Sequence, residues 1–174
     1  VKPGDEVISP ALTVIMDTSA TIHAHAIPVY ADVNENDFTI SPEEIEKKIT
    51  KKTIAVIIVH FAGHPCDMGD IIKLCKKKKI ELIEDSAETL GATWNKKFTG
   101  SFGTGCFSFF PTKNITTTEG GMLTTNSKSK YDKIKKIIAH GINKKLKKHY
   151  WNRESDLPGH NFRLPNHLAA LGVN

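Results

Sequence analysis

The chain has 174 residues, enough for one ordinary domain with a sizeable core or for part of a larger one. Its 39% hydrophobic and 25% charged content is that of a soluble globular protein, and no apolar run reaches the length of a membrane-spanning helix. The net charge of +5 is mild and comes from lysine runs at Lys76 to Lys79 and Lys144 to Lys148, read as solvated helix faces, so neither nucleic acid nor membrane is an expected partner.

The opening Lys2-Pro3-Gly4-Asp5 reads as a turn already inside a fold, and Glu6 to Ser9 as a short apolar strand. A helix is expected over Val14 to His25 and a strand over Ile27 to Val33. Ser41-Pro42-Glu43-Glu44 predicts a helix start: a serine cap, proline in the first turn, and acids near the positive end of the dipole. Thr53 to His60 is a continuous β-branched run, as in a parallel strand buried on both faces. Asp67 caps a helix reaching Lys79, and Ile80 to Ile83 is the next buried strand. Gly105 to Phe109 and Gly121 to Thr125 are further strands, Lys128 to His140 is an amphipathic helix, and Ile142 to Pro158 reads as a loop. The end, His167 to Gly172, stops inside an apolar helical pattern, and the chain as a whole reads as a fragment.

Alternating strands and helices imply βαβ crossovers and an α/β fold, a doubly wound, mostly parallel sheet with helices on both faces. Ligands of such sheets gather at the carboxyl ends of the strands. His60, Asp85 and the turn from Ser108 to Lys113 all fall at predicted strand ends. His60 is read as a satisfied strand-end histidine. Lys113 is singled out because an apolar strand runs straight into Pro111-Thr112-Lys113, and a lysine there can lose solvation and become a usable amine nucleophile. Glu84-Asp85-Ser86-Ala87-Glu88 ends another buried strand, and the pair of sites suggests an aldehyde cofactor held between an amine and a carboxylate. The three cysteines, Cys66, Cys75 and Cys106, lack metal-ligand spacing and read as reduced thiols of a cytoplasmic protein. No metal is expected.

An ordered set of motifs carries a family resemblance. It comprises Gly4-Asp5-Glu6-Val7-Ile8-Ser9-Pro10, Val59-His60 with Gly63-His64-Pro65-Cys66-Asp67-Met68, and Ile83-Glu84-Asp85-Ser86-Ala87 with Gly91-Ala92. Gly100-Ser101-Phe102-Gly103, Phe107 to Asn114, Glu119-Gly120-Gly121-Met122, His140-Gly141 and Gly159 to Leu164 complete it. The chain resembles the DegT/DnrJ/EryC1/StrS sugar aminotransferases, pyridoxal-phosphate enzymes of the aspartate aminotransferase fold. The resemblance implies that Lys113 bonds the cofactor and that Asp85 pairs with its pyridine nitrogen. It further implies that Ser108 binds the phosphate and that Asn161 reaches the phosphate from a partner subunit, so that a homodimer shares its active site. Arg163 would face the same cleft. The implied substrates are an amino acid, glutamate, and a nucleotide-linked deoxysugar. The implied organisation is a cofactor-binding large domain over residues 1–141, then a loop and helical connection over 142–174 leading toward a small domain.

Two positions depart from the family pattern. Glu88 stands where glutamine or histidine is usual, and an acid beside the cofactor phenolate is repelled unless protonated or turned away. Val14 stands where an aromatic residue commonly covers the ring, and it can press on the ring without stacking. Tyr150 and Trp151 are candidates for a substrate cleft. The phosphate loop that precedes the opening strand in the family, and the C-terminal small domain, are both missing from the pattern, so the isolated chain is expected to bind the cofactor weakly. Three rival readings remain: a sugar dehydratase of the same family, against which Lys113 argues because that branch carries histidine there; a non-catalytic cofactor-binding module; and a basic nucleic-acid-binding domain.

Overall fold

The computed structural model describes residues 1–143, 149, 151 and 154–173. The lysine run from 144 to 148 and the candidate at 150 lie outside the described residues. In chain order the elements begin with β1 (Glu6–Pro10), α1 (Met16–His23), β2 (Ile27–Ala31), α2 (Pro42–Lys48) and β3 (Thr53–Val59). A short 3-10 turn at Phe61–Gly63 leads to α3 (Met68–Lys78) and β4 (Glu81–Asp85). Then come β5 (Thr93–Trp94), β6 (Lys97–Phe98), β7 (Thr104–Ser108), β8 (Gly121–Thr125), α4 (Lys128–Ile137) and α5 (Asn166–Leu171).

The main sheet has six strands in the order β2-β1-β3-β4-β7-β8, and the β1–β2, β1–β3, β3–β4 and β4–β7 ladders are parallel. The chain leaves β1 toward β2 and then crosses back over β1 to β3. Right-handed crossovers in opposite directions put α1 on one face and α2 and α3 on the other. Two apolar clusters follow from that division. Ile8, Val56, Ile58 and Leu82 pack with Ile45 of α2 and with Met68, Ile71, Leu74 and Cys75 of α3. Val7, Ala55 and Ile57, backed by Ile83, line the opposite face. The direction of winding changes between β1 and β3, and such a switch opens a crevice at the strands' carboxyl ends.

Local signals place the helices. Ser41 Oγ accepts the Glu44 N–H ahead of Pro42, and Asp67 Oδ1 accepts the Gly69 N–H at 3.0 Å. The helix expected from Val14 is confined to Met16–His23, and His25 turns the chain with φ of 62°. The hairpin β5–β6 has no alternating pattern to announce it. Its turn rests on Asn95 and Lys96, both left-handed at φ 47° and 65°, the twist that a two-residue hairpin requires.

The chain forms two compact units, Val1–Thr124 and Thr125–Asn174. The end of α4 is tied to the segment beyond it by His160 N–H to Ile137 O at 2.7 Å and Phe162 N–H to Ile138 O at 3.0 Å. Bridges at Ala139–Asn161 and Ile142–Ser155 also give the expected loop some regular pairing.

Gly105 shows how closely β7 is packed. A Cβ there would lie 2.5 Å from Gly100 Cα and from Thr124 Oγ1, and 2.6 Å from Gly100 O. Backbone cannot yield as a flexible side chain does. Gly105→Ala should therefore cost about 2 kcal/mol or more in denaturant unfolding, by overpacking alone.

Candidate active site

Strand alternation decides which side chains can meet. Asp85 pairs in register with Cys106 on β7, and Glu84 pairs with Gly105. Successive side chains point to opposite faces, so Asp85, Cys106 and Ser108 share the face of Val7 and Ile57, while Glu84 points among α2 and α3. Asp85 and Ser108 thus lie on one side of the sheet, at the carboxyl ends of adjacent strands.

The Asp85 carboxylate has one oxygen occupied and one free. Oδ1 accepts the Ala87 N–H at 2.9 Å, and Oδ2 has no hydrogen bond among the described residues. Burial raises its pKa, the Ala87 N–H and the Lys113 ammonium pull it down, and Glu88 raises it again; the net direction is up. Lys113 is thus near enough to Asp85 for their charges to be felt.

Lys113 follows the end of β7, with its backbone N–H bonded to Phe110 O at 3.0 Å and its side chain about one-fifth exposed (22%). Its Nζ lies 3.4 Å from Glu88 Oε1. The other Glu88 oxygen accepts the Ala62 N–H at 3.0 Å. Glu88 is turned toward the amine and the turn after β3. Ser108 Oγ accepts the Phe110 N–H at 3.2 Å and keeps its own proton to donate.

Asp17 of α1 went unnoticed in the sequence. It is buried, and its Oδ2 accepts the Thr13 hydroxyl at 2.7 Å. Burial, opposed by the Thr13 bond and reinforced by Asp85, pushes its pKa up to about 6 from 3.8. Asp85 and Asp17, after burial itself, also help push the Cys106 thiol up to about 11. These couplings bring the first turn of α1 to the Asp85 side of the sheet. An aspartate in a first helical turn looks like an ordinary dipole partner, so no sequence signal separated it.

Behind the face lies a buried network that was likewise not anticipated. Glu84 Oε1 accepts N–H groups from Phe102 at 2.8 Å and Gly103 at 2.6 Å, and Oε2 accepts from Gly100 at 2.7 Å and His60 Nε2 at 3.2 Å. His60 Nδ1 accepts the Cys66 N–H at 3.1 Å, which leaves the ring proton on Nε2, facing Glu84. Burial raises the Glu84 pKa, but the bonds from His60, Gly103 and Gly100 outweigh it and hold the carboxyl below its usual value. An acid facing inward along the apolar β4 pattern was the available clue. His60 is a fully bonded strand-end histidine.

The other candidates are distributed differently. Val14 lies between β1 and α1 and is half exposed, beside Ile15 and Met16, which are also open to solvent. Asn161 and Arg163 belong to the second unit, where Arg163 Nε and Nη2 both donate to Asn161 Oδ1 at 3.3 and 3.2 Å. Trp151 is exposed and stacks on His149 with ring centroids 4.6 Å apart. Among the described residues there is no cluster able to hold a metal ion and no helix long and apolar enough to cross a membrane.

An amine just beyond β7 and a carboxylate at the end of β4 stand at the carboxyl ends of neighbouring strands, where ligands of doubly wound sheets gather. A model of the DegT/DnrJ/EryC1/StrS aminotransferase family matches residues 1–174, and the chain belongs to that family. The chain is 41% identical over 174 residues to GDP-perosamine synthase of Escherichia coli O157:H7, covering 99% of itself and 46% of that protein. It superposes on PseC of Helicobacter pylori, an aminotransferase of pseudoaminic acid biosynthesis, with a TM-score of 0.92 at 33% identity, covering 99% of itself and 46% of that chain. Spr1654 of Streptococcus pneumoniae, described as a sugar aminotransferase and solved in its PMP form, matches with a TM-score of 0.92 at 30% identity, over 99% of this chain and 50% of its own. The chain thus spans about half the length of these relatives. Pyridoxal phosphate is the cofactor of the family.

Two outcomes follow from the buried acids. Glu84→Gln exchanges a carboxylate surrounded by donors for an amide that brings donors of its own; unfolding free energy should fall by about 3 kcal/mol in urea titrations. Asp17 has a folded pKa above its unfolded value, so its contribution is fully present below pH 3.8 and is lost as pH rises through about 6. Asp17→Asn should therefore stabilise the protein by about 2 kcal/mol at pH 8 and leave it little changed at pH 4, read from paired denaturation curves.

Proposed function

We propose that this chain is the cofactor-binding part of a cytoplasmic, homodimeric aminotransferase. It moves an amino group from glutamate to a keto group of a nucleotide-linked deoxysugar. The observation that carries the reading is the placement of Asp85 at the end of β4 and of Lys113 just beyond the adjacent β7, near enough for the charge of one to act on the other. The name of the E. coli relative, a GDP-perosamine synthase, supports a nucleotide-linked sugar as acceptor.

The residues present fit pyridoxal phosphate. Asp85 Oδ2 is a half-buried acceptor without a donor, on the face where a ring N–H would supply one. Ser9 Oγ is buried on that same face with no hydrogen-bond partner, so polar capacity there is unspent. Ser108 has a hydroxyl proton to give to a phosphate oxygen, and Lys113 has the amine. When bound, the cofactor supplies an aldehyde that accepts an amino group and a ring that takes up electrons.

Asp85 keeps the ring nitrogen protonated, because a carboxylate favours the charged form of a nearby base. Lys113 would hold the cofactor through its amine, and its Nζ would take up and return the proton during transfer. Val14 would border the ring without stacking. Asn161 of a second copy of this chain closes the phosphate end, so the working site is a dimer's. Amine and keto substrates share this one site in successive halves of the cycle.

The test is to add pyridoxal phosphate to the full-length protein, reduce with borohydride and map the adduct by peptide mass. The adduct should sit on Lys113. Glutamate should release 2-oxoglutarate from the loaded protein, and Lys113→Ala should lower that release at least about a hundredfold, the scale of a lost acid–base group. An adduct without 2-oxoglutarate release identifies a non-catalytic binding module instead. No adduct at Lys113 overturns the reading.

A further inference from the structure

We infer that Glu88 is the resident counter-ion of Lys113, pairing with its amine and delaying its reaction with an aldehyde until the pair opens. This deepens the function proposed above and rests on Lys113 being the reactive amine.

The geometry is a carboxylate bridging two strand ends. Oε2 is fixed by the Ala62 N–H at 3.0 Å, and Oε1 faces Lys113 Nζ at 3.4 Å. Ala62 is left-handed, with φ 50° and ψ 30°, a conformation that costs a residue with a Cβ about 1 kcal/mol. The turn persists in that form with its N–H aimed at Glu88. The carboxylate is therefore anchored rather than free to rotate away, and its second oxygen is presented to the amine. The other charged group that acts on the amine is Asp85, which in turn feels Glu88.

A neutral amine is required for attack on a carbonyl, and the ammonium must first give up a proton. While the pair is closed, Nζ faces Glu88 Oε1 rather than an incoming carbonyl. Where glutamine stands instead, its amide could keep the Ala62 bond through its oxygen, but it could not hold the amine by charge.

The experiment uses the full-length protein freed of cofactor and acetic anhydride as the probe, with the acetylation rate of each lysine read by mass spectrometry. Glu88→Gln keeps an oxygen for Ala62 and removes only the charge. Lys113 should then acetylate about fivefold faster, the scale of a half-exposed ion pair, with Lys47 and Lys73 as unchanged references. In the unmodified protein the Lys113 rate should also rise between about 0.01 M and about 1 M salt, which needs no variant to fold. A Lys113 rate that ignores both the substitution and the salt overturns the counter-ion, whether or not borohydride fixes pyridoxal phosphate there. Acceleration without any fixation at Lys113 leaves the counter-ion standing and overturns the function.

Discussion

A charge taken out of water must be met by donors, and the end of β4 obeys that constraint in two opposite ways at adjacent residues. Glu84 points to the α3 face and is met in full, by three backbone N–H groups and one imidazole. Asp85 points to the other face and is met in half. The saturated acid is structural. It joins the end of β3, through His60, to the loop of residues 100–103 that feeds β7, and so fixes where β7 emerges. The position of Ser108, and of Lys113 after it, depends on that junction. The half-satisfied acid is left with acceptor capacity at the mouth of the same strands, as a binding site for a protonated ring would need.

The working face is acidic in character. Asp17 feels Asp85, Asp85 feels Glu88, and Lys113 is the cation that acts on Asp85 and pairs with Glu88. An apolar wall alone would disfavour every charged form here. Asp85 raises Asp17, Glu88 raises Asp85 and Lys113 lowers Asp85, so the state of the two aspartates depends on their neighbours. Cys66 and Cys75 pack in the apolar cluster on the opposite face. Burial pushes Cys66 up to about 12 and Cys75 up to about 11, which keeps both as small apolar fillers.

What could be read from the sequence was what local chemistry determines. Ser41-Pro42 and Asp67 mark helix starts because capping is settled within four residues, and the β-branched run of β3 announces a doubly buried strand by composition. Lys113 and Asp85 stood out because each follows such a strand. Asp17 did not, since its burial depends on how α1 lies against the sheet, which no local pattern encodes. The β5–β6 hairpin was missed because two-residue strands carry too few positions to alternate. The pairing of α4's end with residues near 160 joins positions remote in sequence, a contact invisible to a linear scan. Glu88 was visible as an anomaly but not as a partner of Ala62, which is remote in the chain and adopts a backbone conformation unusual for alanine.

The two glutamates flanking Asp85 converge on a single turn. Glu84 grips the side chain of His60, and Glu88 grips the backbone N–H of Ala62, two residues further on. One is saturated and immobile; the other retains an oxygen for Lys113. The turn after β3 therefore transmits the rigidity of the buried network to the carboxylate beside the amine. An exposed ion pair is ordinarily weak because two long side chains must be ordered to make it. Here one partner is ordered beforehand by the fold, which lowers that entropic cost and explains why a half-exposed glutamate can hold a lysine in place.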